Sequence, residues 1–168
     1  KDRTKLQSAS SAIRKLLLEI TEQYVNITEA MKQIKDFAKA RSAFFVDTDG
    51  EDFYYISNSM KDKLLSGDDR TFFHGELFRY AANINNNKSA LSFMQIIPNK
   101  HLAKTNNELY EFLIKHDIKV ISFAIITDSN NHVGILGTIN PKKVYAARKL
   151  IEDIVVCFSI AIYNKKHL

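Results

Sequence analysis

Cysteine, long apolar runs and a secretory leader are scarce or missing in this 168-residue chain. Its single cysteine, Cys157, excludes an internal disulfide framework and fits a reducing compartment. The run Val120–Ile126 is far shorter than the roughly 20 apolar residues that a membrane span needs. The chain begins Lys1-Asp2-Arg3, without an apolar leader or an initiator Met. We therefore expect a cytoplasmic piece of a longer protein, with no membrane contact of its own.

Motifs for catalysis and metal binding are also missing from the sequence. The acids Asp47, Asp49 and Glu51 alternate, but an EF-hand loop would need Gly and Glu where Asp52 and Asn58 stand. There is no nucleophile elbow and no Cys/His pairing typical of a hydrolase. The histidines lack the tight spacing of a metal site: His74, His101, His116, His132 and His167. We predict no metal and no catalysis in this fragment.

Charge excludes a further class of partner. The chain has 24 basic and 19 acidic residues, and its basic set is 18 Lys to 6 Arg. A nucleic-acid surface should be clustered and favour Arg, whereas these residues are scattered along the chain. We therefore predict no nucleic-acid partner.

The first 25 residues carry an apolar seam typical of a dimerisation helix. Its members are spaced as the a and d positions of a heptad repeat. They are Leu6, Ile13, Leu17, Ile20 and Tyr24. We predict one helix from Thr4 to Val25 that pairs with a second copy, and a separate domain over 26–168 that opens with a helix from Ile27 to Ala40. The alternative is that the first helix folds back on its own sheet in a monomer.

The rest of the chain alternates strand and helix patterns. Asp49-Gly50 predicts a hairpin turn between two β-rich runs. The predicted strands are Ala43–Asp47, Phe53–Ser57, Ser89–Ile97, Ile118–Thr127 and His132–Ile139, and the later helices are Gly75–Ala82, Asn106–His116 and Lys142–Lys166. This order predicts an α+β domain with an antiparallel sheet.

The stretch "HVGILGTINPKK" resembles a phosphate cradle only at first sight. A phosphate loop places its glycines where a strand opens into a helix, but Gly134 and Gly137 lie inside the strand. If Thr127 pairs with His132, Gly134 faces Ile125, which indicates packing. Gly137 then faces Ser122, and this small pair leaves space for a helix or a ligand.

Three stretches of the chain resemble parts of one known family. "FLIKHDIKVISFAIITDSNNHVGILGTINPKK" is similar to the C-terminal strand pair of a GAF domain, and "LIEDIVVCFSIAIYNKKHL" to the closing helix of that family. "MKQIKDFAKARSAFFVD" resembles its opening helix and first strand, so that the resemblance covers 26–168. It implies a GAF-like antiparallel sheet, with long N- and C-terminal helices on one face and a variable, pocket-forming middle on the other.

The resemblance implies a pocket for a small molecule but does not identify the ligand. Cyclic-nucleotide GAF domains carry an Asp-Glu pair that does not follow Asn87-Lys88 and Phe93 here. Bilin attachment needs a pocket cysteine, whereas Cys157 falls in the apolar stripe of the last helix. Methionine sulfoxide reductases of this fold need several cysteines and are excluded.

Seven residues are candidates for that pocket. Tyr55 and Ser57 share a strand face, and Arg79 would pair with an anionic ligand. The alternative for Arg79 and Gln95 is a solvated position at the surface or sheet edge. The full set is Tyr55, Ser57, His74, Arg79, Phe93, Gln95 and Ser122.

The leading hypothesis is a small-molecule sensor in a bacterial signalling protein, coupled through its terminal helices to an output domain. The exit Asn140-Pro141 resembles that of GAF sensors joined to GGDEF or EAL cyclic-di-GMP enzymes. Two alternatives stay open: a ligand-free dimerisation module, and the effector domain of a transcriptional regulator.

Overall fold

Six helices and five strands make up the described part of the chain. The computed structural model describes residues 2–19, 23–47, 53–59, 62, 67–82, 91–128 and 131–167. The helices are α1 Asp2–Leu18, α2 Gln23–Ala38, α3 Gly67–Ala82, α4 Lys100–Thr105, α5 Asn107–Lys115 and α6 Val144–His167. The strands are β1 Ser42–Asp47, β2 Phe53–Ser57, β3 Leu91–Ile96, β4 Ile121–Asp128 and β5 Asn131–Ile139.

The five strands form one antiparallel sheet in the order β2-β1-β5-β4-β3. β5 is the central strand, flanked by β1 and β4, and most described side chains of these three strands are buried on both faces of the sheet. The predicted α+β class with an antiparallel sheet is therefore confirmed. The turn of the predicted hairpin, 48–52, lies outside the described residues.

Helices α1, α2 and α6 cover one face of the sheet. In α6 the buried positions Leu150, Ile154, Phe158 and Ala161 recur every three or four residues, which turns one stripe inward. In α2 the buried stripe runs from Ile27 to Ile34. The prediction that the long terminal helices lie on one face is confirmed. Within the described residues, no helix is both long and apolar enough to cross a membrane.

The heptad seam of α1 meets partner helices within its own chain. Ile13 and Leu17 are fully buried in one cluster with residues of α2 and α6, so they are not free to contact a second copy. Leu6 is half-buried against the same cluster. Ile20 and the side chain of Tyr24 lie outside the described residues. The predicted single helix over Thr4–Val25 is also wrong, because α1 ends at Leu18 and α2 begins at Gln23. A heptad pattern requires a partner helix but does not specify which chain supplies it.

Helices α3, α4 and α5 cover the opposite face. α3 begins at Gly67, eight residues before the predicted start, because Asp68 and Asp69 fall in its first turn, where acids favour a helix N-terminus. α4 was not predicted; the Asn99 side chain accepts a hydrogen bond from the Leu102 N–H and caps it. Asn106 caps α5 in the same way through the Leu109 N–H.

The register between β4 and β5 differs from the prediction by one residue. Thr127 does pair with His132, but Ile126 pairs with Gly134, so that Val133 is an extra residue on β5. Gly137 consequently pairs with Phe123, and Ser122 with Thr138. The predicted small pair of Ser122 and Gly137 does not form, because a one-residue shift moves each side chain to the other face.

Candidate functional site

The sheet face beneath α3–α5 is where the GAF resemblance places a pocket, and aromatic side chains pack across it. Phe44 of β1, Phe73 of α3 and Phe123 of β4 are fully buried there. The rings of Phe44 and Phe73 meet edge to face with centroids 5.2 Å apart. Phe112 of α5 stacks on Phe73 at 6.1 Å. The floor of this face is therefore occupied by the protein's own rings.

Gly137 allows two of these rings to approach the central strand. A Cβ at this position would lie 2.6 Å from Phe44 Cζ, 2.6 Å from Phe123 Cβ and 2.8 Å from the backbone oxygen of Ser122. No real side chain fits at those distances, and the backbone oxygen cannot rotate away. The glycine is therefore needed for close packing on this face.

At the end of the face where α3 finishes, the aromatic layer is less enclosed. Tyr80 lies edge-on to Phe123 at 6.3 Å, and Met94 of β3 is half-buried beside them. Burial raises the pKa of Tyr80, so its hydroxyl stays protonated and can donate a hydrogen bond. Tyr80 and Met94 are thus only partly buried, unlike the rings at the centre of this face.

A buried carboxylate, Asp62, forms a polar network at the opposite end. It accepts hydrogen bonds from Tyr55 Oη and Ser57 Oγ, each 2.8 Å long. Arg41 binds it as a fork, through Nε and Nη2 at 3.1 Å each, and donates from Nη1 to the carbonyl oxygen of His116 at 2.6 Å. The network ties the start of β1, strand β2, residue 62 and the end of α5 together.

Electrostatics in this network favour a charged guanidinium on Arg41 and a neutral phenol on Tyr55. The hydrogen bond to Asp62 raises the pKa of Arg41. Burial raises the pKa of Tyr55 well above its usual range, so the phenol stays a neutral donor. The carboxylate is bound by four donor atoms, which is typical of a polar network that stabilises the fold. Sequence reasoning identified Tyr55 and Ser57 but missed Asp62 and Arg41.

The two predicted residues on α3 do not join that network. Arg79 is 70% exposed and pairs with the buried Glu76, its Nη1 lying 2.7 Å from Glu76 Oε2. Asn106 donates to the other oxygen of Glu76 at 2.6 Å. His74 packs against the Phe78 ring with centroids 4.6 Å apart. The Arg79 side chain thus compensates a charge of its own helix.

The remaining three predicted residues lie on the other side of the sheet. Phe93, Gln95 and Ser122 line a shallow cleft of about 430 Å³ beside the start of α6. Arg148 of α6 lies over the Phe93 ring, 4.7 Å from its centroid. The seven candidates therefore fall into three separate groups. The extra residue on β5 removes the pairing of Ser122 with Gly137 for which Ser122 was a candidate, and for β3 the sequence does not show which face is inward.

Two half-buried histidines on α3 and at the end of α5 predict a pH-dependent stability. Burial lowers the pKa of His74 and of His116, although for His116 the carboxylate of Asp69, 3.0 Å from Nε2, opposes the shift. The unfolded chain therefore binds a proton at each histidine more readily than the folded protein does. The contribution of the neutral histidines to stability is fully present above the unfolded pKa of about 6.5 and is lost as pH falls below that value.

We expect a lower urea midpoint at pH 5.5 than at pH 7.5. The dependence should flatten when both residues are changed to Gln. An equally steep dependence in that double variant would assign it to other groups.

Comparison with known proteins identifies the fold. No protein-family model and no curated protein matches the chain. Among the described residues, no group of three or more His, Cys, Asp or Glu side chains could hold a metal ion. A solved structure, the phycoerythrobilin-bound GAF domain of a cyanobacterial phytochrome, matches with a TM-score of 0.55 and 11% identity, over 100% of this chain and 98% of that one. The chain has the fold of a GAF domain.

Proposed function

We propose that this chain is a sensory domain in which a small molecule acts on the α3–α5 layer and changes the packing of the terminal helices. The GAF fold supports this, since the GAF domain that it resembles binds a small molecule, a bilin. The candidate position is the less enclosed end of the face, beside Tyr80 and Met94. The ligand's chemical class stays open.

The observation that carries the proposal is a pair of neighbouring rings on β1. Phe44 packs on Phe73 of α3 at 5.2 Å, and Phe45 points to the other face and packs on Phe158 of α6 at 5.0 Å. Both β1 residues are fully buried, so neither ring can move without displacing its neighbours. A shift of α3 would therefore be transmitted through β1 to α6.

Hydrogen exchange tests this coupling. Phe73→Leu should loosen the α3 layer without touching any residue of α6. We expect faster amide exchange in 144–167 as well as in 67–82, because β1 adjusts to the smaller side chain. The parent protein in enough urea to match the variant's stability is the control for general destabilisation. Exchange that changes only in 67–82 and 107–115 would contradict the coupling.

The output domain and the ligand need separate tests. We propose that the chain is part of an intracellular bacterial protein whose output domain is a diguanylate cyclase or phosphodiesterase, because Asn140-Pro141 resembles the exit of such GAF sensors. We also propose that this fragment itself has no catalytic activity. Thermal shift with cyclic AMP, cyclic GMP and biliverdin tests three compounds from two ligand classes, because a ligand that binds only the folded state raises its stability. Neighbouring sequence in the full-length protein tests the output.

A parallel dimer is part of the proposal, and the outer face of α6 is its proposed interface. Val156, Ile160 and Tyr163 are 67%, 44% and 63% exposed and follow one another at helical spacing. This stripe faces away from α1 and α2, and side-by-side α6 helices would deliver both C-termini to a paired output. We expect a dimer in light scattering at tens of micromolar, and a monomer for Val156→Glu/Ile160→Glu.

Ile114→Glu is the matched control for that experiment, since Ile114 of α5 is 52% exposed and distant in sequence from the stripe. It should leave the mass unchanged. A parent chain that is already monomeric would remove the dimer from the proposal, and so would a control that dissociates equally.

A second candidate function is a ligand-free structural module. The aromatic packing of Phe44, Phe73, Phe112 and Phe123 favours it, because these rings fill the face where a ligand would lie. In that case none of the three compounds should shift the melting temperature, while the α6 variants should still abolish dimerisation.

A further inference from the structure

A groove at one end of the helical layer has no role in the function proposed above. It lies between the start of α1, the end of α2 and the start of α6, and has a volume of about 700 Å³. Its floor is apolar, formed by Leu6, Phe37 and Val144, and Tyr145 stands at its edge with 72% of its surface exposed. We refer to it as the basic groove because of its rim.

The rim collects basic side chains from the start of α1 and from the segments that follow α2 and precede α6. Arg3 and Lys5 come from α1, while Lys142 and Lys143 precede α6, and Lys39 lies in an adjoining cleft with Lys5 and Lys143. All five are exposed, and among the described residues none has an ion-pair partner. The formal net charge of the whole chain is +5. Five basic side chains without an acidic partner among the described residues therefore lie close together here, although their positions in the sequence look scattered.

The rim is held in place by the backbone. The N–H groups of Lys142 and Lys143 donate to the carbonyl oxygen of Ala38, at 3.1 and 3.0 Å, which fixes the start of α6 to the end of α2. The one acid lining the adjoining cleft, Asp36, is already bound by the buried ammonium of Lys35 at 2.7 Å. Like charges held together without acids in between create a positive potential that attracts an anion.

We propose that the basic groove docks an acidic segment of a protein partner, which places apolar side chains on the floor and carboxylates against the rim. Four of the five rim residues are lysines, which act as point charges and lack the planar fork of Arg that suits base and phosphate recognition. A flat membrane surface would not reach the floor of a concave groove. Apolar side chains between carboxylates complement both the floor and the rim.

Fluorescence anisotropy with the intact chain tests the proposal. The probe is a fluorescein-labelled peptide of roughly 12 residues in which two glutamates alternate with two leucines, a spacing that places the leucines on one face of a helix. We expect saturable binding that weakens as salt is raised. Lys142→Glu/Lys143→Glu should weaken it at least tenfold, and Tyr145→Ser severalfold. The matched control Lys100→Glu/Lys104→Glu makes the same charge change on α4 and should alter the affinity less than twofold.

Four results would overturn the proposal. The first is no binding at millimolar protein, and the second is an equal loss for the α4 control, which would indicate attraction by net charge alone. The third is equal affinity for a peptide with serine in place of leucine, which would show that the floor is unused. The fourth is tighter binding of single-stranded DNA of equal charge, or of phosphatidylserine vesicles, which would assign the groove to a different class of partner.

Discussion

Gly137→Val is expected to lower the free energy of unfolding by about 3 kcal/mol or more. A Cβ at this position would lie 2.6 Å from Phe44 and from Phe123, and 2.8 Å from the backbone oxygen of Ser122. Both phenylalanine side chains are already fully buried. Overpacking on this scale forces the rings off their rotamers or moves β4 away from β5. Urea denaturation followed by circular dichroism measures the effect. Gly134→Val should behave similarly, since its Cβ would lie 2.5 Å from Phe45 Cζ and 2.8 Å from the Val46 oxygen.

Gly75→Ala is the control for these substitutions. Gly75 lies within α3, exposed to solvent, and a Cβ there would meet nothing within 4 Å. Because alanine is the better helix former, this variant should gain roughly 0.5–1 kcal/mol. A Gly137→Val protein that unfolds at the same urea concentration as the parent would show that the two rings do not enclose this position.

Asp62→Ala is expected to cost about 3 kcal/mol, the second-largest effect. The side chain of Asp62 is 5% exposed, and its removal leaves Tyr55, Ser57 and Arg41 without their shared acceptor. Removing one partner of a buried pair typically costs about 3–5 kcal/mol, and we take the low end because Arg41 remains 30% exposed. Urea denaturation at pH 7 gives the value.

Two further variants separate the charge from the hydrogen bonds. Asp62→Asn keeps an acceptor for the hydroxyl groups but removes the negative charge, so it should lose less than Asp62→Ala. Combined with Arg41→Met in a double-mutant cycle, it should show a coupling of about 1 kcal/mol or more. Additive losses would mean that the fork between Arg41 and Asp62 contributes little.

The elements of this fold with strong periodicity could be predicted from sequence. The last helix, the last two strands and the first hairpin follow from apolar patterns and from the resemblance of their ends to a GAF domain. α3 was predicted too short because its first half, with Phe72 and Phe73 side by side, has no clean apolar stripe. The pairing of β4 with β5 was wrong by one residue because nothing in "HVGILG" marks Val133 as unpaired.

The polar network around Asp62 was harder to predict because its members are distant in sequence. Tyr55 and Ser57 were found through their shared strand face, but their acceptor Asp62 follows β2 without any periodic signal. Arg41 precedes β1, and nothing in the neighbouring sequence distinguishes it from an ordinary surface arginine. Asn106 can be recognised as a helix cap, since it stands immediately before a helical pattern. Its hydrogen bond to Glu76 has no such signal in the sequence. Long-range polar contacts depend on the tertiary fold, which local patterns do not specify.

The order of the strands affects how the chain is made as well as how it works. β1 lies between β2, its neighbour in sequence, and β5, which follows roughly 90 residues later. During synthesis, β1 and β2 can form a hairpin early, but the inner edge of β1 stays exposed until β5 leaves the ribosome. α1 and α2 must likewise wait for α6 before their apolar stripes are covered. A nascent chain that stalls before Asn131 would therefore present an open sheet edge to other chains, and its fate would depend on chaperones until β5 and α6 were complete.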